Sequence, residues 1–432
     1  MNEGIARGRW RGRGVPLLRL FRFLWQDRLQ RDTLLLLGAQ VFYKLTGVFI
    51  VMVLSRSLSA TEIGIFFFTT SFAEAFLTLT GAYLGPLLMR QVATVPADAA
   101  ARFAAVLVFR LASGLLFLLV VTGAAFLFAH DVWRIVMVVA VFTLCETLYL
   151  SFASLFVALN RVVYSVSIGV CVQIGFLVVF LVAVRQMPSL TTVLAANLLR
   201  NVALLSIGFL ITHLWLFPLR VTWKWSLVYE GLPFALLHVF TALRNRSDTM
   251  LLGFLADYLH VGHYQLAYQF VFSSLFIPVV ITSVFFPHIA AEGLSLQNRR
   301  LFLLRAGMLL VCGCLAMGIA WGGAYPLARA LYGNIANDAA PILRVMSPLF
   351  PLAFLYHFAS GTLQALSREQ QAVRVAAVTV TVSVLTGAGL IPLYGVYGVV
   401  AARLFSEFIG VVLLTRTLWP LLSGAQVVTK QH

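Results

Sequence analysis

Apolar stretches of about 20 residues, the length that a helix needs to cross the hydrocarbon core of a bilayer, recur along the whole of this 432-residue chain. Hydrophobic residues make up 61% of the sequence and charged residues only 11%. Soluble domains average about 25% charged residues. The chain is therefore predicted to be an all-α polytopic membrane protein. A soluble protein, a disordered protein and a nucleic-acid-binding protein are excluded.

Twelve stretches have the length and apolarity of membrane spans. They divide into an N-terminal six-helix bundle over residues 33–217 and a C-terminal six-helix bundle over residues 231–418, joined by a cytoplasmic linker over residues 218–230. Residues 1–32 are predicted to form a basic cytoplasmic tail with an interfacial amphipathic helix, and residues 419–432 a second cytoplasmic tail. The predicted spans are Thr33–Leu54, Ile63–Leu88, Phe103–Phe128, Ile135–Leu159, Val163–Val184, Leu190–Phe217, Gly231–Leu255, Gly262–Phe286, Leu301–Trp321, Pro341–Leu366, Ala372–Ile391 and Gly395–Leu418.

Lysine and arginine are distributed very unequally between the two sides of these spans. The termini and the loops on their side hold 20 of them, whereas the opposite loops hold only four, Arg56, Arg134, Arg185 and Arg329. Cytoplasmic segments carry the excess of basic residues in membrane proteins. Both termini are therefore predicted to be cytoplasmic. The side with four basic residues is predicted to face outside, and we call it the outer end.

Short internal matches indicate that the two bundles arose by duplication. Three matches recur at offsets of 207, 206 and 198 residues: Val157–Arg161 with Gln364–Arg368, Val193–Asn197 with Val399–Arg403, and Ile63–Gly64 with Val261–Gly262. Because six spans is an even number, the two copies share one topology and are related by an axis along the membrane normal. A transporter with its site between the halves is the expected architecture.

Charged residues inside the spans are the main indication of function. Each costs roughly 2.5–3.5 kcal/mol at a helix centre, so it must face a watery cavity or pair with another charge. Four basic residues are predicted to form a cationic substrate-binding cavity: Lys44, Arg200, Arg244 and Arg403. Arginine grips phosphate and pyrophosphate through its planar fork, which favours an anionic substrate. For three further arginines the sequence does not decide whether the side chain faces the cavity or the lipid: Arg110, Arg246 and Arg344.

Four acidic residues accompany the basic ones within the spans. Glu74 and Glu146 lie mid-span without a partner on their own helix, so they pair across helices or bind a coupling proton or sodium ion. Asp248 and Glu407 each follow a basic residue by four positions, a spacing that permits an ion pair on one helix face.

The sequence lacks the signatures of several other activities. It contains no GxxxxGK[ST] phosphate-binding loop, no HExxH and no Cys/His cluster with metal-ligand spacing. The longest outer loop runs over roughly Gly322–Ala340, too short for an outer catalytic domain. We therefore expect no enzyme activity, no metal and no cofactor, with coupling to a proton or sodium gradient as the one open possibility.

Two groups of segments resemble a known family, the bacterial polysaccharide repeat-unit flippases (Wzx type) of the multidrug/oligosaccharidyl-lipid/polysaccharide (MOP) superfamily. The loop Leu54–Gly64 is similar to their pattern R-x-L-G-x-x-x-x-G, with Arg56, Leu58 and Gly64 matching and Ser59 in place of the first glycine. Segments of the second half are similar as well: Leu331–Gly333, Gly361–Arg368, Leu390–Gly398 and Ala401–Glu407.

The resemblance implies a fold and an activity. It implies a V-shaped architecture like that of the multidrug and toxic compound extrusion (MATE) transporters, with a cationic lumen carried by the four residues of the predicted cavity. It also implies translocation of an undecaprenyl-pyrophosphate-linked oligosaccharide across the bacterial inner membrane by alternating access, for O-antigen, capsule or exopolysaccharide biosynthesis. Membrane lipids, a polymerase and a chain-length regulator would be its partners. The alternative is a multidrug or organic-cation antiporter of the same superfamily, in which Glu74 and Glu146 would carry the mechanism.

Overall fold

The computed structural model describes residues 28–216, 226–293 and 296–422. The described residues form α-helices joined by short turns, which confirms the all-α class. The helices are α1 Arg28–Ser57, α2 Ala60–Ala75, α3 Leu84–Thr94, α4 Ala99–Phe128, α5 Trp133–Ala158, α6 Val162–Gln186, α7 Leu190–Ile211, α8 Ser226–Leu255, α9 Tyr258–Ser274, α10 Phe276–Glu292, α11 Leu296–Tyr332, α12 Ala336–Met346, α13 Leu349–Ala365, α14 Glu369–Tyr394 and α15 Val396–Leu422.

Within the described residues, nine helical stretches are long and apolar enough to cross a membrane, and two bent helix pairs raise that number to eleven. The bent pairs correspond to the second and tenth predicted spans, with bends of 58° and 54°. Gly81 in a left-handed conformation follows the first bend, and Pro348, which lacks a backbone N–H, stands at the second. The seventh predicted span corresponds to α8, which has 30 residues but carries several charges. A total of twelve spans therefore stays a prediction.

The ends of the predicted regions differ from the observed helices by a few residues. α1 begins at Arg28 and α8 at Ser226, so parts of the predicted tail and linker are helical. α15 continues to Leu422, beyond the predicted last span. The added turn of α1 is mainly charged and polar, whereas the added residues of α15, 419–422, are apolar. The predicted interfacial helix in the first tail lies outside the described residues.

Equivalent backbone features recur at the spacings of the internal repeat. Asn160 and Ser367, 207 residues apart, have φ values of 56° and 55°, which are rare for residues other than glycine. In each turn the next residue is an arginine whose backbone N–H donates to the carbonyl oxygen five residues earlier. Arg161 donates to Phe156 at 2.7 Å, and Arg368 donates to Leu363 at 2.9 Å. These shared conformations support the duplication.

The helices α2 and α9 begin in the same way in the two copies. Ser59 caps α2 by accepting from the Glu62 N–H, and Glu62 accepts in return from the Ser59 N–H at 3.0 Å. Asp257, 198 residues later, caps α9 by accepting from the His260 N–H at 2.8 Å. Serine at position 59, where the family pattern often has glycine, is thus explained by its role as a helix cap.

The two helices then cross at the outer end through one pair of glycines. A Cβ atom added at Gly64 would overlap the carbonyl oxygen of Tyr258, and one added at Gly262 would overlap the carbonyl oxygen of Ala60. These contacts are reciprocal, as a two-fold relation between the copies requires. Only glycine permits so close an approach of two helix backbones.

Arg110 has a structural role that its sequence position did not suggest. Its side chain is 1% exposed and faces neither a cavity nor lipid. It donates to the carbonyl oxygens of Gly81 and Ala82 at 3.0 Å, and to the Ser151 hydroxyl at 2.7 Å. Both carbonyls lie between α2 and α3 and also accept turn hydrogen bonds, from the Leu84 N–H at 2.9 Å and the Gly85 N–H at 3.4 Å. The guanidinium is thus a second donor to each of these oxygens.

Candidate functional site

The described spans enclose several cavities, and three of them are lined by a charged residue together with other polar side chains. We call the first the N-half cavity; it measures about 440 Å³ and is lined by residues of α1, α5, α6 and α7. The central cavity, about 320 Å³, lies between α2 of the first half and α8 and α9 of the second. The C-half cavity, about 420 Å³, is lined by α8, α10, α13 and α14.

The N-half and C-half cavities occupy equivalent places in the two copies. Tyr149 and Ala153 line the first, and the residues 207 positions later, Tyr356 and Ser360, line the second. The central cavity has no such counterpart because it lies between the copies.

The central cavity contains a charged pair joining the two halves. Glu74 of α2 accepts from the Arg246 Nε of α8 at 2.5 Å. Farther from the outer end, the Thr78 hydroxyl lies 3.0 Å from the His238 Nδ1. Arg246, one of the three arginines left open by the sequence, therefore lines a cavity, and Glu74 pairs across helices.

Lys44 lies at the edge of the central cavity. Its Nζ is 4.0 Å from the ring centroid of Phe272, which forms part of the cavity wall. A cation above an aromatic face is attracted by the ring quadrupole, but its charge is not neutralised. Within the described part of the chain, no acidic side chain forms an ion pair with Lys44.

Arg200 and Glu146 face each other in the N-half cavity. Their side chains are separated by 3.5 Å from Nη2 to Oε1, and the Glu146 side chain is 45% exposed. Arg200 also reaches Gln173 at 3.5 Å. All these contacts are long, so the guanidinium is surrounded by polar groups without being tightly held.

A buried ion network occupies the core of the second half. Arg244 Nη1 donates to Glu407 Oε1 at 2.5 Å, and Arg403 Nη2 lies 3.2 Å from the same oxygen. Arg403 Nη1 lies 3.5 Å from Asp248 Oδ2, which also accepts from the Tyr264 hydroxyl at 2.5 Å. The two carboxylates therefore neutralise both guanidinium groups, and the Tyr264 hydroxyl donates to one of these carboxylates.

This network corrects two expectations. Arg403 is 4% exposed and lies inside the second half rather than on a cavity wall. Asp248 pairs with Arg403 of α15 and not with Arg244, because Arg244 turns toward Glu407. Arg403 and Glu407 do form the same-helix pair that their spacing permits.

Arg244 has one face in the network and another in the C-half cavity. Its guanidinium lies 4.0 Å above the Tyr356 ring, and Nη2 is 3.5 Å from His357 Nε2. Sequence reasoning overlooked His357, Gln173 and His238, although a polar residue in an apolar span is a usable signal. Arg344, by contrast, lies exposed at the outer end against Tyr325, with its Nε donating to the Trp321 carbonyl at 3.1 Å.

The residues of the R-x-L-G-like loop hold the halves together at the outer end. Arg56 Nη2 donates to the Ala330 carbonyl at 2.5 Å and its Nε to the Leu331 carbonyl at 3.3 Å, capping the end of α11. Leu58 is buried, and Gly64 forms the crossing with α9.

A family model described as polysaccharide biosynthesis protein matches residues 29–291. A relative from Haloferax volcanii, described as probable flippase AglR, is 26% identical over 180 residues. That match covers 40% of this chain, and it spans only 37% of the relative's length.

Solved structures share the fold at low sequence identity. An inward-facing MATE transporter of the MOP superfamily superposes with a TM-score of 0.69, at 11% identity, covering 88% of this chain and 95% of that one. The lipid II flippase MurJ in an inward closed conformation superposes with a TM-score of 0.65, at 14% identity, covering 89% and 87%. The predicted MATE-like, multi-pass membrane architecture is thereby confirmed. Because the family match extends over more than half of the sequence, the chain belongs to the polysaccharide biosynthesis protein family, with the fold of the MOP superfamily transporters.

Proposed function

We propose that this protein is a flippase that moves an undecaprenyl-pyrophosphate-linked oligosaccharide from the inner to the outer leaflet of a bacterial inner membrane. The observation that carries the proposal is the balance of charge in the spans. Among the described residues, Glu74, Glu146, Asp248 and Glu407 each contact an arginine, whereas Lys44 at the central cavity contacts no carboxylate. The cavity between the halves is therefore suited to an anionic group.

Physical chemistry explains why such a lipid needs a protein route. The sugar and pyrophosphate would lose their hydration in the acyl region, at a large cost in free energy. In the proposed mechanism, the head group enters the polar space between the halves and the polyprenyl tail stays in the bilayer. Rocking of the two related halves then changes the side to which the head group is open. We propose cytoplasmic termini and the O-antigen, capsule or exopolysaccharide pathway, with its polymerase and chain-length regulator, as the setting.

The competing proposal is a multidrug or organic-cation antiporter. Glu74 and Glu146 would have to bind the cation or the coupling proton, yet each already contacts an arginine. A cation that binds to either carboxylate would have to displace the arginine or come close to its positive charge. Proton- or sodium-driven dye efflux from vesicles tests this alternative, and we expect none above protein-free vesicles.

Replacing Lys44 by glutamine is expected to slow translocation of the lipid-linked oligosaccharide by about tenfold or more. A hydrogen bond to a charged group contributes roughly 1.5–3 kcal/mol, which corresponds to factors of about ten to a hundred. The measurement is the fraction of lipid-linked oligosaccharide that reaches the outer leaflet in a strain relying on the variant. Lys44→Arg should retain most transport, and Arg344→Gln at the surface should retain all of it. Wild-type transport by Lys44→Gln would contradict the anion-binding role.

A further inference from the structure

The N-half cavity differs in chemistry from the space between the halves. In the part of the chain that the structure describes, Lys44 at the central cavity has no carboxylate partner, whereas Arg200 and Glu146 balance each other in the N-half cavity. The N-half cavity also presents the exposed ring of Tyr43 and the amide of Gln173. Its volume of about 440 Å³ lies within the range of small-molecule sites, roughly 300–1,000 Å³.

The hydrogen-bonding groups of this cavity match a polyhydroxy compound. Arginine can only donate, an ionised glutamate can only accept, and a glutamine amide does both. A sugar hydroxyl both donates and accepts, so neighbouring hydroxyls can bond to Arg200 and Glu146 together. The protein partners of Arg200 lie 3.3–3.5 Å away, at the long limit for a hydrogen bond, so a ligand has little to displace. The Tyr43 ring provides an apolar face beside these groups.

Charged ligands fit this cavity less well. A metal or organic cation binding to Glu146 would be repelled by Arg200, whose Nη2 is 3.5 Å from the carboxylate. A phosphate binding to Arg200 would be repelled by Glu146 over the same distance. The pair therefore selects for a ligand without a net charge at this point.

The cavity is adjacent to the proposed pyrophosphate position. Tyr43 lines the N-half cavity, and the next residue, Lys44, contacts Phe272 in the wall of the central cavity. One molecule with a sugar attached to a pyrophosphate could therefore occupy both places at once.

The C-half cavity does not repeat these binding groups. At the repeat spacing of 207 residues, Glu146 corresponds to Ala353 and Gln173 to Val380. The arginine of the C-half cavity, Arg244, is held at 2.5 Å by Glu407. The duplication has thus kept the cavity and changed its chemistry, which leaves the first half with the sugar-binding groups.

From these observations we infer that the N-half cavity is a carbohydrate subsite, in which Tyr43, Glu146, Gln173 and Arg200 bind sugar residues of the transported lipid. This inference rests on the proposed flippase function. In this arrangement the pyrophosphate of the head group binds near Lys44, and its sugars bind within the first half.

The test compares two ligands on the purified full-length protein in lipid nanodiscs. One is the lipid-linked oligosaccharide isolated from a strain lacking the protein, and the other is undecaprenyl pyrophosphate without sugar. Wild-type protein should bind the sugar-bearing lipid more tightly. Glu146→Gln and Arg200→Gln should each weaken that binding by about tenfold and leave the affinity for the sugarless lipid within about twofold.

A glycine on α1 offers a second variant that does not remove a charge. A Cβ at Gly47 meets nothing within 4 Å, and Gly47 lines the cavity, so Gly47→Leu should fill the space without disturbing the fold. It should abolish the preference for the sugar-bearing lipid. Gly38→Leu on the same helix, which also has open space and does not line the cavity, should bind both lipids as the wild type does.

The possible results separate the two proposals. Equal weakening of both lipids by Glu146→Gln, Arg200→Gln and Gly47→Leu would overturn the carbohydrate subsite and leave the flippase proposal standing. An unchanged preference for the sugar-bearing lipid in all three variants would also overturn it. Failure of wild-type protein to bind either lipid would instead overturn the proposed function.

Discussion

Gly64→Leu is expected to abolish transport while the protein still inserts and folds. At this position α2 and α9 touch through their backbones, and even a Cβ atom would overlap the Tyr258 carbonyl oxygen. A leucine therefore forces the two halves apart at the outer end. In an alternating-access cycle, a pathway that cannot close at one end cannot open productively at the other. Outward transport of the lipid-linked oligosaccharide should fall to background.

The separation of the halves can be measured directly. Gln269 lines the central cavity from α9, and we expect Gln269→Cys to be protected from a membrane-impermeant maleimide added at the outer side. Adding Gly64→Leu should make that cysteine reactive. Gly123→Leu is the matched control, because a Cβ there meets nothing within 4 Å. Normal transport by Gly64→Leu, or continued protection of the cysteine, would show that this crossing does not close the outer end.

Glu407→Gln is expected to destabilise the folded protein by roughly 3–5 kcal/mol, the range seen when one partner of a buried ion pair is removed. Glu407 is 3% exposed and contacts both Arg244 and Arg403. Without the Glu407 charge, Arg403 keeps only Asp248, and Arg244 keeps no carboxylate partner among the described residues. The measurement is thermal or denaturant-induced unfolding of the purified protein, followed beside wild type under identical detergent conditions.

Two further variants isolate the charge effect. Arg244→Met combined with Glu407→Met removes one charge of each sign and leaves Arg403 paired with Asp248, so it should be markedly more stable than Glu407→Gln alone. Glu62→Gln, in the exposed capping box of α2, should lower stability by about 1 kcal/mol or less. If the double variant is as unstable as Glu407→Gln, shape and packing rather than charge balance hold this core together.

Much of the fold could be predicted from residues alone, since local patterns encode it. The apolar stretches correspond to the helices because each must satisfy its own backbone in lipid. The match between Val157–Arg161 and Gln364–Arg368 corresponds to two turns that each have a residue in the left-handed conformation at the equivalent position. The match that includes Gly64 and Gly262 marks a crossing where the copies touch, although the sequence did not indicate that these glycines face each other.

The candidate site was predicted less completely, because spacing along one helix reveals only same-helix neighbours. Of the four predicted cavity residues, Lys44 lies beside the central cavity, while Arg200 and Arg244 line cavities within the halves. Arg403 is enclosed in an ion network. Arg110 donates to the Gly81 and Ala82 carbonyls, contacts that no spacing along a single helix predicts.

The membrane-spanning class, the repeat and the presence of charges that cannot face lipid can all be predicted from the amino-acid sequence, because hydrophobicity and periodicity are properties of the chain. Which of those charges are neutralised by a partner depends on contacts between distant helices. Glu74 meets Arg246 and Glu146 meets Arg200 across different helices, so their neutralisation depends on helix packing. Among the described residues, the candidate basic side chains of the spans that contact no carboxylate are Lys44, Arg110 and Arg344. Of these three, Lys44 lies beside the central cavity, and its charge there supports the proposed anionic substrate.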